Sequence, residues 1–361
     1  MKNILFFPLL FITALALGQS TDSTSMTAPA SSLTFSGYAD VFYQYDFNQP
    51  ADNARPGFLY SHNRHHEVNV NVAYLKGAYA ADRVRGNLAL LVGTYADDNY
   101  AAESDVMQNV LEANVGVRLG AHTWLDAGIL PSHIGFESAV SKDCRALTRS
   151  LVAENSPYFE TGVKLTFQPN DEWTLAALYL NGWQRIARPA GNTLPAFGTQ
   201  VYWKPSGNLT LNYSTFFGSD KPDSNRLFRQ YHNFYGIFTV AEGFEITAGF
   251  DFGAEQQREG SSELNTWYTP VLIARYQVGP RLALAARVEY FEDVAGVIIA
   301  TGTENGFKTT GFSLNLDYQI ADNALWRVEG RVLNSEDEIF VTDNGLSKSR
   351  PYVTTGLAIS F

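Results

Sequence analysis

The chain has 361 residues, a formal net charge of −11, one cysteine and an aromatic content of 14%. The acidic balance excludes binding to nucleic acid or anionic lipid by charge attraction, and a lone cysteine excludes a disulfide-stapled exported domain. The mean hydropathy of −0.14 has a soluble look, but a membrane β-barrel carries polar residues at every second position and reads the same way.

The N-terminus, MKNILFFPLLFITALALGQS, has an early lysine, an apolar run over 4–17 and small residues before Gln19. Residues 1–18 read as a cleaved signal peptide, because the run is too short for a spanning helix and polar residues follow it. Residues 19–32, QSTDSTSMTAPASS, read as a flexible periplasmic leader. Residues 33–361 read as one domain in which alternating stretches of roughly ten residues recur.

The first stretch lies near Leu33 to Tyr45. Later ones show both faces: Leu209, Leu211, Tyr213, Thr215 and Phe217 interleave with Thr210, Asn212, Ser214 and Phe216, while Phe312, Leu314, Leu316 and Tyr318 interleave with Ser313, Asn315 and Asp317. Short links fall near 81–82, 120–122, 169–172, 205–208, 241–243, 279–280 and 321–323. Long ones fall near 46–66, 96–108, 131–157, 184–197, 218–230, 255–265, 293–306 and 335–350. The spacing predicts an all-β chain, a transmembrane antiparallel β-barrel of about sixteen strands with short periplasmic turns and long outer loops. A soluble sandwich has no reason to sort its loops by parity. Tyr43, Tyr45, Trp124, Trp173, Trp183, Trp203, Trp267 and Trp326, near strand ends, are expected in the interfacial girdles. The last stretch, YVTTGLAISF, alternates up to Phe361 and is expected to pair with the first strand, since closure removes both edges. Its terminal Phe resembles the recognition signal of outer-membrane barrels, which implies the barrel-assembly machinery and outer-membrane lipid as partners.

Sixteen strands leave an aqueous channel. The alternation points Asp40, Glu112, Asp126, Glu160, Glu245, Asp251, Glu289, Asp317 and Glu329 inward, together with Arg85, Arg118, Lys164, Arg275, Arg287, Arg327 and Arg331. So many ions in a dry core would be costly, so water is expected to reach them, with about half braced in pairs. Arg327, Glu329 and Arg331 read as a ladder on one strand.

The longest link, within LPSHIGFESAVSKDCRALTRSLVAENSPYFE, has mixed charge. AGILPSHIGFES (127–138), LTRSLVAENSPYFETGVKL (147–165) and LYLNGWQRI (178–186) resemble the OmpL-like β-barrel porin family of Bacteroidetes-type outer membranes. The resemblance implies passive diffusion of small hydrophilic solutes and ions, no cofactor and no catalytic residues. By analogy with broader porin architecture, the third loop folds inward, with Ser132, His133, Glu137, Lys142, Asp143, Arg145, Arg149 and Glu154 near a constriction. The same analogy allows a homotrimer. The near balance of lumen charge predicts at most a mild cation preference.

Other chemistry has weaker support. His62, His65 and His66 in SHNRHH lack an acidic or cysteine frame for a metal and read as solvated. Ser214 and His232 lie on neighbouring strands but have no third member for a hydrolase triad. Cys144 reads as an incidental loop thiol. The alternative to a porin is a closed barrel whose long loops, such as the aromatic 58–60 stretch, form a binding or adhesion surface; an outer-membrane hydrolase ranks below it.

Overall fold

The structure, a computed structural model, describes residues 31–104 and 106–361; the expected signal peptide and residues 19–30 of the expected leader lie outside the described residues. Sixteen strands close into one antiparallel barrel. They are β1 (Ser32–Asp46), β2 (Val68–Ala80), β3 (Val84–Val92), β4 (Val110–Gly120), β5 (Thr123–Pro131), β6 (Phe159–Phe167), β7 (Trp173–Leu180), β8 (Ala196–Ser206), β9 (Leu209–Gly218), β10 (Arg229–Ala241), β11 (Phe244–Gln256), β12 (Leu264–Gln277), β13 (Leu282–Asp293), β14 (Phe307–Ala321), β15 (Ala324–Ser335) and, last, β18 (Ser349–Ser360). A small hairpin, β16 (Phe340–Thr342) with β17 (Gly345–Ser347), sits within the final long loop and stays outside the barrel sheet.

Long and short links alternate from β1 to β18 as the spacing predicts. The outward face is apolar: Leu314 is 72% exposed and Val115 69% in the isolated chain. A continuous belt of such residues is tolerable only in lipid. Trp173 and Trp203 stack at 5.4 Å, and Trp326 is exposed on the same outer surface. Three tryptophans depart from the girdle expectation. Trp124 faces inward under Arg85 and Arg118, 4.3 and 5.1 Å from its ring. Trp267 is buried inside the barrel beside Tyr231, and Trp183 packs on Phe216 and Tyr231. Guanidinium groups or other rings cover each of them, giving these rings partners inside the barrel.

At the outer end, Phe58 and Leu59 of the first loop and Ile299 of the 294–306 loop meet inward residues Phe291, Phe307 and Leu333. This cluster is the largest apolar core and lies inside the barrel mouth.

Closure joins β1 to β18 from Tyr38↔Ser360 to Asp46↔Tyr352. The seam ends in two reciprocal bonds, Gly37 N to Phe361 O at 2.8 Å and Phe361 N to Gly37 O at 3.0 Å. The Phe361 ring covers the spot where a Cβ on residue 37 would stand. In Gly37→Val the ring is displaced, and a cost of about 1–3 kcal/mol is expected for the overpacked seam. The heat-modifiable gel band should convert at a lower temperature; an unchanged transition would show that the ring contact contributes nothing to closure.

Candidate functional site

The lumen has two unlike walls. On β13–β15 the inward residues include Arg287, Glu289, Asp317, Arg327, Glu329 and Arg331, all nearly or fully buried. Arg287 pairs with Glu329 at 2.7 Å, Arg331 with Glu289, and Arg327 Nε with Asp317 Oδ1 at 2.6 Å. Arg275 on β12 adds a second partner to Asp317. The ladder therefore runs across strands rather than along β15. This is possible because β14 presents Gly311 and Ser313 between its neighbours: a Cβ on residue 311 would lie 2.6 Å from a Glu289 carboxylate oxygen.

Loop 3 (132–158) seals this network. Thr148 N donates to Glu329 Oε2 and Leu151 N to Glu289 Oε2, both at 2.6 Å. Leu147 N reaches Asn315 Oδ1 at 2.9 Å. In return Arg287 donates to Thr148 O and Arg331 to Arg149 O, both at 2.8 Å, and Arg327 to Cys144 O at 3.0 Å. Water was expected at these charges; instead the loop backbone satisfies them. Such a network tolerates dryness because every ion has an opposite partner and further hydrogen bonds, while loss of one partner typically costs about 3–5 kcal/mol.

The loop's other edge is fixed on β6 and β8–β11. His133 Nδ1 lies 2.7 Å from Glu160 Oε2 and its Nε2 lies 2.9 Å from Thr215 O. The imidazole rests over Gly198, 2.7 Å from a Cβ position there, and Phe136 rests over Gly249 at 2.9 Å. Glycine within a strand commonly marks such close approach. Ser214 Oγ donates to His133 O at 2.7 Å and Gly135 N to Asn233 Oδ1 at 3.1 Å.

These contacts reassign several constriction candidates. Arg149 is fully buried and donates to Leu147 O, Ala139 O and Ser138 O within its own loop. Glu137 accepts from Ser150 N at 3.0 Å. Glu154 closes the short helix α1 (Leu151–Glu154) and accepts from Tyr60 N at 2.9 Å, tying loop 3 to the first loop; burial pushes its carboxyl up. Arg149 and His133 hold the loop rather than face open space, whereas Glu137 and Glu154 hold it at the border of a cavity. Ser132, Lys142, Asp143 and Arg145 do face it. Arg145 pairs with Glu245 at 2.7 Å in a cavity of about 430 Å³ at the periplasmic end, shared with Lys142, Asp143 and Arg275.

The opposite wall, β2–β6, meets loop 3 through Glu160 at His133 and through an apolar cluster of Ala139 and Val140 with Val72, Tyr74, Leu111 and Ile129, and elsewhere carries charged pairs. Lys76 pairs with Glu112 at 2.7 Å, Arg85 Nε with Asp126 Oδ1 at 2.7 Å and Arg118 with Asp82 at 2.9 Å. Lys164 is half-buried on β6. Between this wall and loop 3 lies a cavity of about 320 Å³ whose lining includes Tyr74, Lys76, Glu112, Ser132 and Asp143. Asp143 borders both this space and the periplasmic one. An outer vestibule of about 350 Å³ includes Asp98, Glu154, Trp183 and Asp220.

Two lumen acids have other surroundings. Asp251 is held by Tyr231 and Asn233, the latter at 2.6 Å. Asp40 meets His62 Nε2 at 3.1 Å and Asn71 at 3.2 Å. His62 is fully buried and His65 nearly so, because the first loop folds into the barrel mouth; their expected solvation is corrected. Lys76, its place in the lumen set unmarked by any charge pattern, shares the inward phase of Tyr74 and Ala78. Ser214 faces the lumen, whereas His232 faces outward against Tyr213 at 2.8 Å, since Ser214 is level with Asn233. Among the described residues no group of three or more metal-ligating side chains is gathered.

Comparison with known proteins gives one family model, "Putative beta-barrel porin-2, OmpL-like", matching residues 32–361. No curated protein matches. The barrel is similar to the outer membrane channel DcaP of Acinetobacter baumannii, with 11% identity, a TM-score of 0.62, and coverage of 93% of this chain and 99% of that one. It is also similar to the anion-selective porin from Comamonas acidovorans, at 10% identity, TM-score 0.61, and 92% and 100% coverage. The trimer form of OmpT from Vibrio cholerae gives 12%, 0.61, and 92% and 100%. At these identities the likeness is one of fold.

Cys144 reports on the loop's docking. It is buried, and burial pushes its thiol up, so a maleimide should label it slowly. In Glu289→Gln/Glu329→Gln the charge partners of Arg331 and Arg287 are lost, and labelling of the folded barrel should accelerate at least about tenfold as the loop opens locally. Unchanged labelling would show that the ion network does not hold the loop.

Proposed function

Because the chain belongs to the OmpL-like β-barrel porin-2 family and forms an outer-membrane porin channel, we propose that small hydrophilic solutes and ions diffuse passively between loop 3 and the β2–β6 wall. The observation that carries this reading is the one-sided hydrogen bonding of loop 3. Its backbone is bonded to β13–β15 and its root to β6, β8, β9 and β10, while charged pairs of β2–β5 face the remaining space. Ser132, Lys142 and Asp143 would narrow the path from the loop side, opposite Lys76, Glu112, Arg85, Asp126 and Lys164. Opposed charges at that width would orient dipolar solutes. The function involves no chemical step and no cofactor. Export by a cleaved leader over residues 1–18, barrel-assembly recognition of the last strand, a Bacteroidetes-type outer membrane and a homotrimer complete the proposal. The trimer draws support from the trimer form of the similar OmpT.

A closed barrel with a binding surface is the second reading, and interlocked loops favour it. Gln184 donates to Asn99 at 3.1 Å, Ile186 N to Glu103 at 2.9 Å, Tyr60 N to Glu154 at 2.9 Å and Tyr158 N to Gln184 at 2.7 Å, joining the first four outer loops. Planar-bilayer recording separates the readings. The folded protein should give stable unitary steps, and replacing 133–156 by a short Gly-Ser link should raise their size several-fold. Glu289→Gln/Glu329→Gln, which keeps the loop, should show noisier and larger openings. Silence from all three, each with heat-modifiable gel mobility, would sink the diffusion reading in favour of the closed barrel.

A further inference from the structure

Most ion pairs along the open side of the lumen close one to one. Lys76 takes Glu112 and Arg145 takes Glu245, each at 2.7 Å, and Lys142 takes Asp143 at 3.4 Å. One row of residues breaks this pattern. The registers of β3 to β6 set Arg85, Gly116, Asp126 and Lys164 abreast. Asp126 is the direct neighbour of Lys164, yet both its oxygens go to Arg85, which donates from Nε to Oδ1 at 2.7 Å and from Nη2 to Oδ2. Gly116 makes that reach possible, because a Cβ there would stand 3.0 Å from Arg85 Cγ. Glu160, on the same face of β6 as Lys164, is held by His133 at 2.7 Å. Both acids nearest to Lys164 are thus taken, and among the described residues it has no carboxylate at ion-pair distance. It is half-buried, and its Nζ is not one of the sealed, partnerless atoms of the barrel.

A second surplus lies at the periplasmic end. Asp317 is shared by the buried Arg327 and by Arg275, which is partly exposed and lines the cavity of about 430 Å³. Two bases serve one acid there. The acid without an ion pair on this side, Glu137, does not offset these charges. It borders the cavity beside loop 3, and the fully buried Arg149, which has no carboxylate of its own, acts on it from within the loop. Paired charges cancel within a few ångströms, so Lys164 and Arg275 dominate the field along the passage. Low-dielectric walls focus such a field and raise the local concentration of counter-ions. The passage is therefore locally positive, although the chain carries a net charge of −11.

We propose that the passage prefers small hydrophilic anions over cations, and that Lys164 is the residue that sets this preference, with Arg275 reinforcing it at the periplasmic end. This reverses the mild cation preference expected from the sequence, and it rests on the diffusion reading. The test is the zero-current potential of the folded barrel in a planar bilayer across a KCl gradient near about 0.1 M, where the Debye length is about 10 Å. Potassium and chloride have nearly equal mobility in water, so the potential reports the protein.

Chloride should be about two- to fivefold more permeant than potassium in wild type, the effect of one unit charge at about 4 Å in a watery passage. The preference should shrink near about 1 M salt, where the Debye length is about 3 Å. Lys164→Gln should bring the ratio close to unity, Lys164→Glu should carry it to the potassium side, and Lys164→Arg should keep it on the chloride side. Arg275→Gln should lower it by a smaller factor. A wild-type potential at zero or on the potassium side overturns the proposal and leaves the diffusion reading intact. So does a chloride preference that Lys164→Gln and Lys164→Glu leave unmoved. Silence from wild type and every variant, each with heat-modifiable gel mobility, removes the diffusion reading and this proposal with it.

Discussion

The architecture of the lumen depends on the exchange of hydrogen bonds between the peptide groups of loop 3 and the ion pairs of β13–β15. Neither partner could exist there without the other. A 27-residue insertion into a barrel leaves peptide groups that must be bonded, and the charges on the wall could not be covered by an apolar loop at tolerable cost. Glu329 and Glu289 take loop N–H groups while Arg287, Arg331 and Arg327 take loop carbonyls. Because donors and acceptors match on both sides, the loop lies flat against one wall. The remaining lumen is pushed toward β2–β6.

The asymmetry divides the charges by role. Those on β13–β15 are sealed and act as mortar. Those on β2–β5, such as Lys76 with Glu112 and Arg85 with Asp126, are paired along the open side, where Lys76 and Arg85 keep part of their surface accessible. Acids are paired with bases in both regions, which conceals this difference. Net charge alone therefore says little about which ions a passing solute meets.

The barrel was legible in the sequence because its two strongest signals are local. Period-two alternation locates strands such as β9 and β14, and link length sorts the two ends. Where alternation weakens, the reading weakens with it. β12 carries Val271 and Ile273 on its inward face and Leu272 on its outward face, so nothing in the segment shows that Trp267 points inward. Loop 3 was recognisable as long and mixed in charge. Its docking rests on partners such as Thr148 and Glu329, 181 positions apart, and no local pattern encodes such a pair. Arg149 illustrates the cost: a loop arginine suggests a lining charge, yet it is spent on the carbonyls of its own loop. His62 is a similar case, since a polar loop run gives no hint that the loop folds into the mouth to meet Asp40. In-strand glycines were the one available sign of docking, and Gly198 and Gly249 sit under His133 and Phe136.

The grip on loop 3 falls mainly on its main chain. Every residue but proline offers the same N–H and C=O, so apart from Thr148, whose hydroxyl meets Glu329 and Arg287, the wall reads little of the identity of the segment it holds. Side chains on the free edge, Lys142 and Asp143 among them, can therefore change without disturbing the anchorage. Descendants of this chain can alter what the passage admits by substitutions at a few unanchored positions, while the barrel and its clasp are inherited unchanged.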